Sequence, residues 1–462
     1  MFVNRTEELD TLEREYERET ASLTIIYGRR RVGKTALITE FLRGKPESLY
    51  FLATEEPEKM NLKAFRQQVA EYTGNELLAK SEADWILTFS QLAGYHPEKR
   101  KIIVIDEFQY IGRSNAAFPS VMQKAWDSVL KDANVMLILC GSLIVSMHRQ
   151  TLDYDSPLYG RRTAQIRLKQ VPFRFYHEFF EDKTERELVR LYAVTGGVPK
   201  YINSFRDTGN IFRGIQNHIL NPQSYLYEEP YFLLQGEVNE VGSYFSILRA
   251  MAMNNHKLAE ISSFLGVKQT SLSKYLRILT DLDIIDREVP VTDLNPEKSK
   301  NGLYYIRDNY LAFWFRFVYP YRAFLEKGET EFVMKKLHEG FVQNYVSFVY
   351  EDICREKMWT LAATGELPFV PMRIGRYWGS ACGETDIVAF TPGEPGLMIG
   401  ECKFGTGEKG LKTLHELQAK APALSRLTGT KAEEADYVIF SSGGYTKALL
   451  EEAERNKHVR LF

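Results

Sequence analysis

The stretch LTIIYGRRRVGKT at Leu23–Thr35 constrains the fold of this chain more than any other feature. Leu23–Tyr27 is a short apolar run of β-favouring residues, and Ala36–Arg43 has the composition of a helix. Between them, Gly28–Thr35 matches G-x-x-x-x-G-K-[ST], and a strand, a glycine loop and a helix in this order form a phosphate-binding loop. The glycines let backbone N–H groups face phosphate oxygens, and the start of the helix adds a positive dipole. A nucleotide site is therefore predicted here.

Each position of this glycine loop has an expected contact. Lys34 is placed to reach the β- and γ-phosphates, and the hydroxyl of Thr35 is placed to bind Mg²⁺. The loop arginines add positive charge beside the phosphates, and their tips are expected to face outward. ATP is preferred to GTP because the sequence has no N/T-K-x-D guanine motif. The residues predicted to contact the nucleotide are Gly28, Arg29, Arg30, Arg31, Val32, Gly33, Lys34 and Thr35.

A second element of the nucleotide site follows in Lys101–Asp106 (KIIVID), which is typical of a buried parallel strand. Asp106, at its carboxyl end, is predicted to hold Mg²⁺ directly or through water. Glu107 is predicted to act in catalysis, by orienting and polarising the water that attacks the γ-phosphate. Four apolar residues before an Asp-Glu pair are common by chance, but after a glycine loop at this distance they indicate a Walker B segment.

Two further positions are weighed for the nucleotide site. Ser142 follows the apolar run Val135–Cys140, where a polar side chain can reach the γ-phosphate; a helix cap is an equal alternative. Arg161 and Arg162 precede Gln165–Leu168, a candidate last strand of the sheet. One of the two is expected to sense phosphate or act as an arginine finger, and Arg162 is assigned to the nucleotide site. A solvated basic loop is the alternative.

Composition excludes several classes of protein. With 59 Lys and Arg against 61 Asp and Glu, the formal net charge is −2, so nucleic-acid binding needs a local basic patch. The 4 cysteines lack C-x-x-C spacing, which argues against zinc ligation and a disulfide framework. The charged N-terminal segment is unlike a signal peptide, and no apolar run reaches the roughly 18 residues of a membrane span. We expect a cytoplasmic protein of several domains, either monomeric or homo-oligomeric.

Short motifs spread over residues 1–235 add to this prediction. They are Phe2-x-x-Arg5-x-x-Glu8, the glycine loop, Ile105–Gln109, Gly141-Ser142, Gly160–Arg162 and Gly196–Pro199. Together they resemble the archaeal-type ATPases, which lie near the AAA+ and STAND signalling ATPases. The resemblance implies an open, mostly parallel α/β sheet with helices on both faces. It also implies an ATPase core at residues 1–175 and a helical lid at residues 176–240.

Residues 241–320 have a different sequence pattern. Leu258–Leu265 is a short amphipathic helix, and a second helix opens at Gln269 after a glycine turn. This arrangement resembles a winged helix, with Arg287–Tyr305 as the wing. DNA is a predicted partner because the second helix exposes side chains suited to phosphates and base edges; a rigid lid or protein-contact module is the alternative. These side chains are Lys268, Gln269, Ser273, Lys274 and Arg277.

A second set of chemically suited residues lies in residues 321–462. Leu397–Phe404 is predicted to be a strand, hairpin-paired with the strand that begins at Glu384. Glu401 and Lys403 are two positions apart on it, so they project to the same face. Asp386, on the neighbouring strand, can approach them. A surface ion pair between Glu401 and Lys403 is the alternative explanation.

The pattern Asp…Glu-x-Lys resembles the core of the PD-(D/E)xK nuclease fold, and the C-terminal region resembles a domain of unknown function in the restriction-endonuclease-like superfamily. The resemblance implies a Mg²⁺ site held by Asp386 and Glu401, with the carbonyl of Cys402. Lys403 would orient the attacking water and offset charge on the phosphorane. Glu351, on a helix predicted over Phe341–Glu356, resembles the glutamate that completes this site.

The predicted fold class is therefore α/β: a P-loop NTPase sheet with a helical lid, a winged-helix domain, and a C-terminal restriction-endonuclease-like domain. The first functional hypothesis is an ATP-hydrolysing protein that acts on DNA and cleaves it at the C-terminal site with Mg²⁺. The second is a nucleotide-dependent regulatory switch, in which the winged helix and the nuclease-like fold bind without cleavage.

Overall fold

A computed structural model describes residues 2–462, which form two compact units. The first unit comprises residues 2–171, 197–203 and 231–239. The second unit comprises Pro172–Gly196, Ser204–Pro230 and Glu240–Phe462. The chain therefore crosses between the units several times, while the division into four domains made from the sequence stays a prediction.

The helices of the described residues follow one another along the whole chain. In chain order they are α1 (Thr6–Tyr16), α2 (Lys34–Leu42), α3 (Glu58–Thr73), α4 (Glu76–Lys80), α5 (Trp85–Gly94), α6 (Phe108–Ser114), α7 (Phe118–Ser128), α8 (Ile144–Met147), α9 (Glu185–Thr195), α10 (Pro199–Ser204), α11 (Ile211–His218), α12 (Tyr225–Gln235), α13 (Val241–Ala252), α14 (Leu258–Leu265), α15 (Gln269–Asp281), α16 (Asn309–Phe317), α17 (Arg322–Leu325), α18 (Thr330–Phe341), α19 (Ser347–Ala363), α20 (Leu411–Thr428) and α21 (Lys447–Arg455). Short 3₁₀ turns occupy Leu130–Asp132, Phe173–Phe179, Pro296–Lys298, Tyr319–Tyr321 and Ala432–Glu434, and π-helical turns occupy His148–Leu152 and Val342–Val346.

The first unit is built on a parallel sheet, as the sequence predicts. Its described strands are β1 (Ser22–Tyr27), β2 (Ser48–Leu52), β3 (Lys101–Asp106), β4 (Val135–Gly141) and β5 (Ala164–Arg167). They lie in the order β2-β3-β4-β1-β5, and every neighbouring pair is parallel. Strands β1, β3 and β4 are buried along their whole length, which explains their nearly continuous apolar sequences.

The strand order decides which loops meet. Because β3, β4 and β1 are adjacent and parallel, their carboxyl ends lie side by side at one edge of the sheet. Asp106 ends β3, Gly141 ends β4, and Gly28 follows β1. Under the sheet, apolar side chains of α1 and α2 pack with those of the strands in one core that includes Leu12, Leu37 and Ile138.

The second unit contains a helical part followed by a small hairpin. Helices α13, α14 and α15 precede the strands β6 (Ile285–Glu288) and β7 (Leu303–Ile306), which pair antiparallel. The buried face of α15 consists of Leu272, Leu276 and Leu279. The aromatic helix α16 follows the hairpin, and most of its side chains are buried.

A mixed sheet ends the second unit. In the described residues its strands are β8 (Arg373–Tyr377), β9 (Thr385–Phe390), β10 (Leu397–Lys403), β11 (Asp436–Ser441) and β12 (Val459–Leu461), in the order β12-β11-β10-β9-β8. Strands β9 and β10 form the predicted antiparallel hairpin, with Leu397 opposite Phe390. Strands β10, β11 and β12 are parallel. Helix α20 packs on this sheet through Leu414, Leu417 and Leu424.

Two helix boundaries differ from those expected. The sequence Asn61–Leu78 is expected to form one helix, but α3 ends at Thr73, because Gly74 takes a left-handed conformation with φ 69° and caps the helix. The predicted helix Phe341–Glu356 is displaced, because a π-helical turn precedes α19, which continues to Ala363. No described helix is long and apolar enough to cross a membrane.

Gly197 offers a test of the first unit's packing. A Cβ at Gly197 would lie 1.9 Å from the carbonyl oxygen of Val171, whose N–H donates to the Gly197 carbonyl at 2.8 Å. We expect Gly197→Ala to lower the free energy of unfolding by about 3 kcal/mol, because backbone atoms must move apart. Urea denaturation measures this change. Gly94→Ala is the matched control, since a Cβ there meets no atom within 4 Å; an equal loss in both variants would contradict the prediction.

Candidate functional site

Arg5 and Leu168 hold the glycine loop in place. The guanidinium of Arg5 donates to the carbonyl oxygens of Val32 at 3.2 Å and Lys169 at 2.7 Å, and it also pairs with Glu8. A Cβ at Gly28 would lie 2.3 Å from the carbonyl oxygen of Leu168, so only glycine fits between this loop and the next strand. The loop therefore has one well-defined path at the carboxyl end of β1.

Lys34 lies inside this loop rather than in solvent. Its Nζ donates to the carbonyl oxygens of Gly28 at 2.8 Å and Arg29 at 2.9 Å. Burial lowers the pKa of the Lys34 ammonium. A phosphate at the mouth of the loop offers this ammonium a full negative charge in place of two neutral carbonyl oxygens, which favours anion binding.

Asp106 gathers polar groups from several elements. One carboxylate oxygen accepts from Thr35 Oγ1 at 3.3 Å and from the hydroxyl of Tyr50, and the other accepts from the Glu107 N–H at 2.8 Å. The structure thus brings together the two residues predicted to hold Mg²⁺, Thr35 and Asp106. Their hydroxyl and carboxylate oxygens are hard donors, and this donor set fits Mg²⁺.

Glu107 is oriented by Ser142 and Gln109. The backbone of Glu107 has a left-handed conformation, with φ 53°, directly after β3. Its carboxylate accepts from Ser142 Oγ at 3.0 and 2.8 Å, one distance to each oxygen, and from the side-chain amide of Gln109. A Cβ at Gly141 would lie 2.1 Å from the Gln109 amide oxygen, so a larger residue there would displace the side chain that binds Glu107. Ser142 therefore contacts the predicted catalytic carboxylate.

The loop arginines differ from the expectation that all their tips face outward. Arg29 is 5% exposed, whereas Arg30 is exposed and donates to the Tyr110 hydroxyl at 2.9 Å. The charges of both arginines act on Glu237, which lies in the segment Tyr231–Asn239 of the first unit. The Glu237 carboxylate accepts from the N–H groups of Ile144 at 2.8 Å and Val145 at 3.2 Å. Burial raises the pKa of Glu237 despite these bonds and charges.

The assignment of Arg162 to the nucleotide site requires a correction. Ala164 of β5 pairs with Thr24 of β1, so Arg161 and Arg162 lie at the amino-terminal edge of the sheet. The glycine loop is at the opposite edge, about 16 Å away along β1. Arg161 is paired with Asp127 at 2.7 Å, and Arg162 stacks on the ring of Tyr159. A contact between Arg162 and nucleotide bound to the same chain does not fit this strand register, because parallel strands bind ligands at their carboxyl ends.

The predicted C-terminal residues do come together. Asp386 lies on β9 one residue before Ile387, where the pairing with β10 begins, and one of its carboxylate oxygens accepts from the Cys402 N–H at 2.9 Å. Glu401 pairs with Lys403 on the same face of β10, and Lys420 approaches its other oxygen at 4.0 Å. Glu351 projects from α19 and pairs with Arg355 at 3.8 Å.

The surroundings of three groups in this cluster, Glu351, Asp386 and Lys403, raise their pKa. Burial, and then the charge of Asp386, raise the pKa of Glu351 to about 8. Burial, and then the charge of Glu401, raise the pKa of Asp386. Burial alone would lower the pKa of Lys403, but its hydrogen bond to Glu401 and the charges of Glu401, Asp386 and Glu351 together raise it. The cluster is therefore a group of carboxylates with the basic groups of Lys403, Lys420 and Arg355 beside them.

The oxygen atoms of this C-terminal cluster are also suitable ligands for a hard cation. Asp386 and Glu401 supply carboxylate oxygens, and the backbone carbonyl of Cys402 lies between Glu401 and Lys403 on β10. Across residues 2–462, no group of three or more His, Cys, Asp or Glu side chains is arranged to hold a metal ion. The assignment of Asp386 and Glu401 as metal ligands stays a prediction.

Several residues of the two clusters were not predicted from the sequence. Tyr50, Gln109 and Glu237 approach the nucleotide site from β2, α6 and the end of a distant helical segment. Arg355 and Lys420 approach the C-terminal cluster from α19 and α20. Gln109 lies in the Ile105–Gln109 motif, so a motif could have indicated it. The others carry no local pattern, because only the fold brings them near.

Comparison with protein families divides the chain into three matched regions. The profile of an ATPase domain predominantly from Archaea matches residues 2–205. The profile of a domain of unknown function matches residues 186–316. A profile described as Archaea bacterial proteins of unknown function matches residues 314–416.

Individual proteins are also similar to this chain. An uncharacterized protein of Methanocaldococcus jannaschii is 34% identical over 441 residues, which cover 95% of this chain and 95% of that protein. An uncharacterized ATP-binding protein of the same organism is 62% identical over 45 residues, 10% of this chain and 76% of that protein. The solved Walker-type ATPase of Pyrococcus abyssi matches with TM-score 0.51 and 22% identity, over 68% of this chain and 96% of that one. The last match shows a shared fold.

Glu237 yields the first prediction for the nucleotide site. We expect Glu237→Gln to lower kcat for nucleotide hydrolysis about tenfold with little change in KM, because a neutral amide holds the segment after Ser142 less firmly. Steady-state phosphate release measures both constants. Glu17→Gln, an exposed carboxylate on the same unit, is the control. An unchanged kcat in a folded Glu237→Gln protein would refute the role.

Glu351 yields a prediction about stability. The folded chain keeps a proton on Glu351 up to about pH 8, whereas the unfolded chain loses it near pH 4.3, roughly its model-peptide pKa. The folded state therefore binds more protons in this window, and stability falls as pH rises through it. With chelator present, Glu351→Gln should be more stable than the parent chain by at least about 1 kcal/mol above pH 8 and nearly equal to it below pH 5.

Urea denaturation at several pH values checks this pH dependence. Glu454→Gln serves as the control, since Glu454 is an exposed carboxylate in the same unit. A Glu351→Gln variant that is destabilised at every pH would show that the carboxyl group contributes to stability rather than costing it.

Proposed function

Since this chain belongs to the family of archaeal P-loop ATPases, we propose that it uses ATP hydrolysis to act on DNA and carries a metal-dependent nuclease site in its C-terminal sheet. ATP binding and hydrolysis follow from the family. The action on DNA and the cleavage are the proposal. One observation carries it: the side chains of Glu351, Asp386, Glu401 and Lys403 meet in one cluster of the second unit.

The nucleotide site hydrolyses ATP through side chains that already lie together at the carboxyl edge of the parallel sheet. Lys34 exchanges its carbonyl partners for phosphate oxygens of ATP, and the loop N–H groups bind the same oxygens. Mg²⁺ held by Thr35 and Asp106 would neutralise charge on the phosphates. Glu107, held by Ser142 and Gln109, accepts a hydrogen bond from the attacking water and takes up its proton.

DNA binding is proposed for the helices and hairpin of residues 241–306. Three helices followed by an antiparallel hairpin support a winged-helix arrangement. The face of α15 opposite its buried leucines is open to solvent, so a groove of DNA can reach it. The exposed side chains on or next to this helix include Lys268, Gln269, Ser273, Lys274 and Arg277.

Cleavage is proposed for the C-terminal cluster. A divalent cation held by Asp386 and Glu401 would lower the pKa of a water and offset charge on the phosphate. Lys403 lies beside Glu401 and is 42% exposed, so its ammonium can reach a substrate phosphate. Glu351 carries a proton at neutral pH and can exchange it as charge at the cluster changes. The resemblance to the PD-(D/E)xK nuclease fold rests on these same residue types.

A regulatory switch without cleavage is the second candidate. It is favoured because carboxylates of the acidic cluster already have basic partners. Lys403 and Lys420 both approach Glu401, and Arg355 approaches Glu351. In such a protein the nuclease-like sheet serves as a binding surface, and ATP hydrolysis resets the bound state. DNA is then bound in a salt-sensitive manner and is not cut.

A comparison of Lys34→Ala with Asp386→Asn separates the two candidates. We expect Lys34→Ala to abolish ATP hydrolysis, because the loop loses the cation that binds the phosphates. Asp386→Asn should abolish Mg²⁺- or Mn²⁺-dependent cleavage and leave ATP hydrolysis unchanged. The assay uses single-stranded, duplex and branched DNA and RNA, each with and without ATP.

Asp436→Asn is the matched control, since Asp436 is a buried aspartate of the same sheet that pairs with Arg460 on the far strand. If the parent chain cleaves no substrate, the nuclease hypothesis is refuted and the regulatory switch is the candidate that stands. Cleavage by Asp386→Asn at the parent rate would show that the activity belongs to another site or to a contaminant.

A further inference from the structure

A cavity of about 610 Å³ lies within the second unit, beside the acidic cluster. Its walls come from the hairpin β6–β7, from α16, from the start of α19 and from β8. Six of its lining residues matter for what it can bind: Tyr305, Arg307, Arg316, Phe348, Glu351 and Arg376. Glu351 is shared with the candidate nuclease cluster, so the cavity and that cluster adjoin along α19.

Most arginines at this cavity are already neutralised. Arg307 pairs with Asp352 at 2.7 Å, and Arg376 pairs with Glu288 at 3.5 Å. Arg355 also pairs with Asp352. These pairs fix the wall of the cavity and leave little charge for a ligand.

Arg316 is different. Among the described residues, no carboxylate forms an ion pair with it, and its guanidinium packs against the ring of Phe317. Burial lowers the pKa of Arg316, and the phenol of Tyr345, rather than a carboxylate, acts in the opposite direction. A half-buried guanidinium without a counter-ion is unfavourable unless an anion binds beside it. The cavity therefore has one cation that is available to a ligand.

Aromatic rings complete the lining. Phe348 is 53% exposed although it is a large apolar side chain, and it stands one helical turn before Asp352. The ring of Tyr305 is covered by the His256 ring, 4.3 Å away between centroids, and by the guanidinium of Arg376. Phe348 thus offers an open ring face in a cavity that also holds an unpaired cation.

We propose that this cavity binds unpaired single-stranded nucleic acid, with a backbone phosphate on Arg316 and a base stacked on Phe348. Stacking on an aromatic ring combined with a phosphate contact is how proteins hold single strands without reading sequence. A cavity of this size admits small ligands of one or two nucleotides, and the faces of paired bases are not accessible for stacking. The strand would continue along α19 to Glu351.

This inference rests on the proposed function, because it supplies the nucleic acid that the cluster would cut. The test is fluorescence anisotropy of labelled oligothymidylate and of a duplex of equal length, with chelator present so that nothing is cleaved. The variants are Arg316→Ala and Phe348→Ala, and Arg206→Ala is the matched control because Arg206 is an exposed arginine of the same unit.

We expect Arg316→Ala to weaken single-strand binding about tenfold and to reduce the slope of affinity against salt by about 0.7, the loss of one phosphate contact. Phe348→Ala should weaken binding about fivefold or more with the salt slope unchanged, because it removes stacking and no charge. Duplex binding should be the same in all variants. Since Phe348 is half exposed, its variant tests the proposal even if the Arg316 variant unfolds.

Three results would overturn the proposal: single-strand binding equal to that of Arg206→Ala in both variants, equal loss of duplex binding, or binding of thymidine monophosphate without binding of the strand. The outcome is separable from that of the nuclease. A parent chain that binds single strands through Arg316 but never cleaves them refutes only the nuclease. Cleavage that is unaffected by both substitutions refutes only this cavity.

Discussion

The adjacency of β3, β4 and β1 is the constraint on which the nucleotide site depends. Three parallel strands that end at one edge place Asp106, Ser142 and Gly28 within reach of one another, although they are far apart in sequence. A chain of hydrogen bonds runs along that edge: Thr35 and the Glu107 N–H donate to the Asp106 carboxylate, and Ser142 donates to the Glu107 carboxylate. Without the buried apolar strands that fix this order, none of these side chains would meet.

Glu237 extends this chain of contacts beyond the motifs. Its carboxylate binds two N–H groups just after Ser142, and it faces the loop arginines from the other side. The segment that carries it, Tyr231–Asn239, returns to the first unit immediately before the chain enters Glu240–Phe462. The segment Tyr231–Asn239 therefore contacts residues next to the predicted phosphate site. A change in charge at that site would act on this segment through Glu237.

The acidic cluster of the second unit shows a cost that is expected at a reactive site. Strands β9 and β10 and helix α19 bring Glu351, Asp386 and Glu401 together, and burial and then the charge of a neighbouring carboxylate raise the pKa of Glu351 and of Asp386. The adjoining cavity shares Glu351 with this cluster and is also lined by Arg316, whose guanidinium has no carboxylate partner among the described residues. Under the proposals made above, an acidic site next to one unpaired guanidinium would suit a polyanion that is held in one place and attacked in another.

The sequence by itself determined the parallel sheet, the glycine loop, the Walker B strand and the hairpin that carries Asp386 and Glu401, because each depends on local periodicity and short-range spacing. The tertiary structure decided the rest. Strand register placed Arg162 at the far edge of the sheet, whereas Gly74 and a π-helical turn moved two helix boundaries. Tyr50, Glu237 and Arg316 gained their neighbours only through long-range packing, which no local pattern encodes. For the stretch Leu23–Thr35, the sequence established phosphate binding, and the fold decided which side chains orient the groups that act on the phosphate.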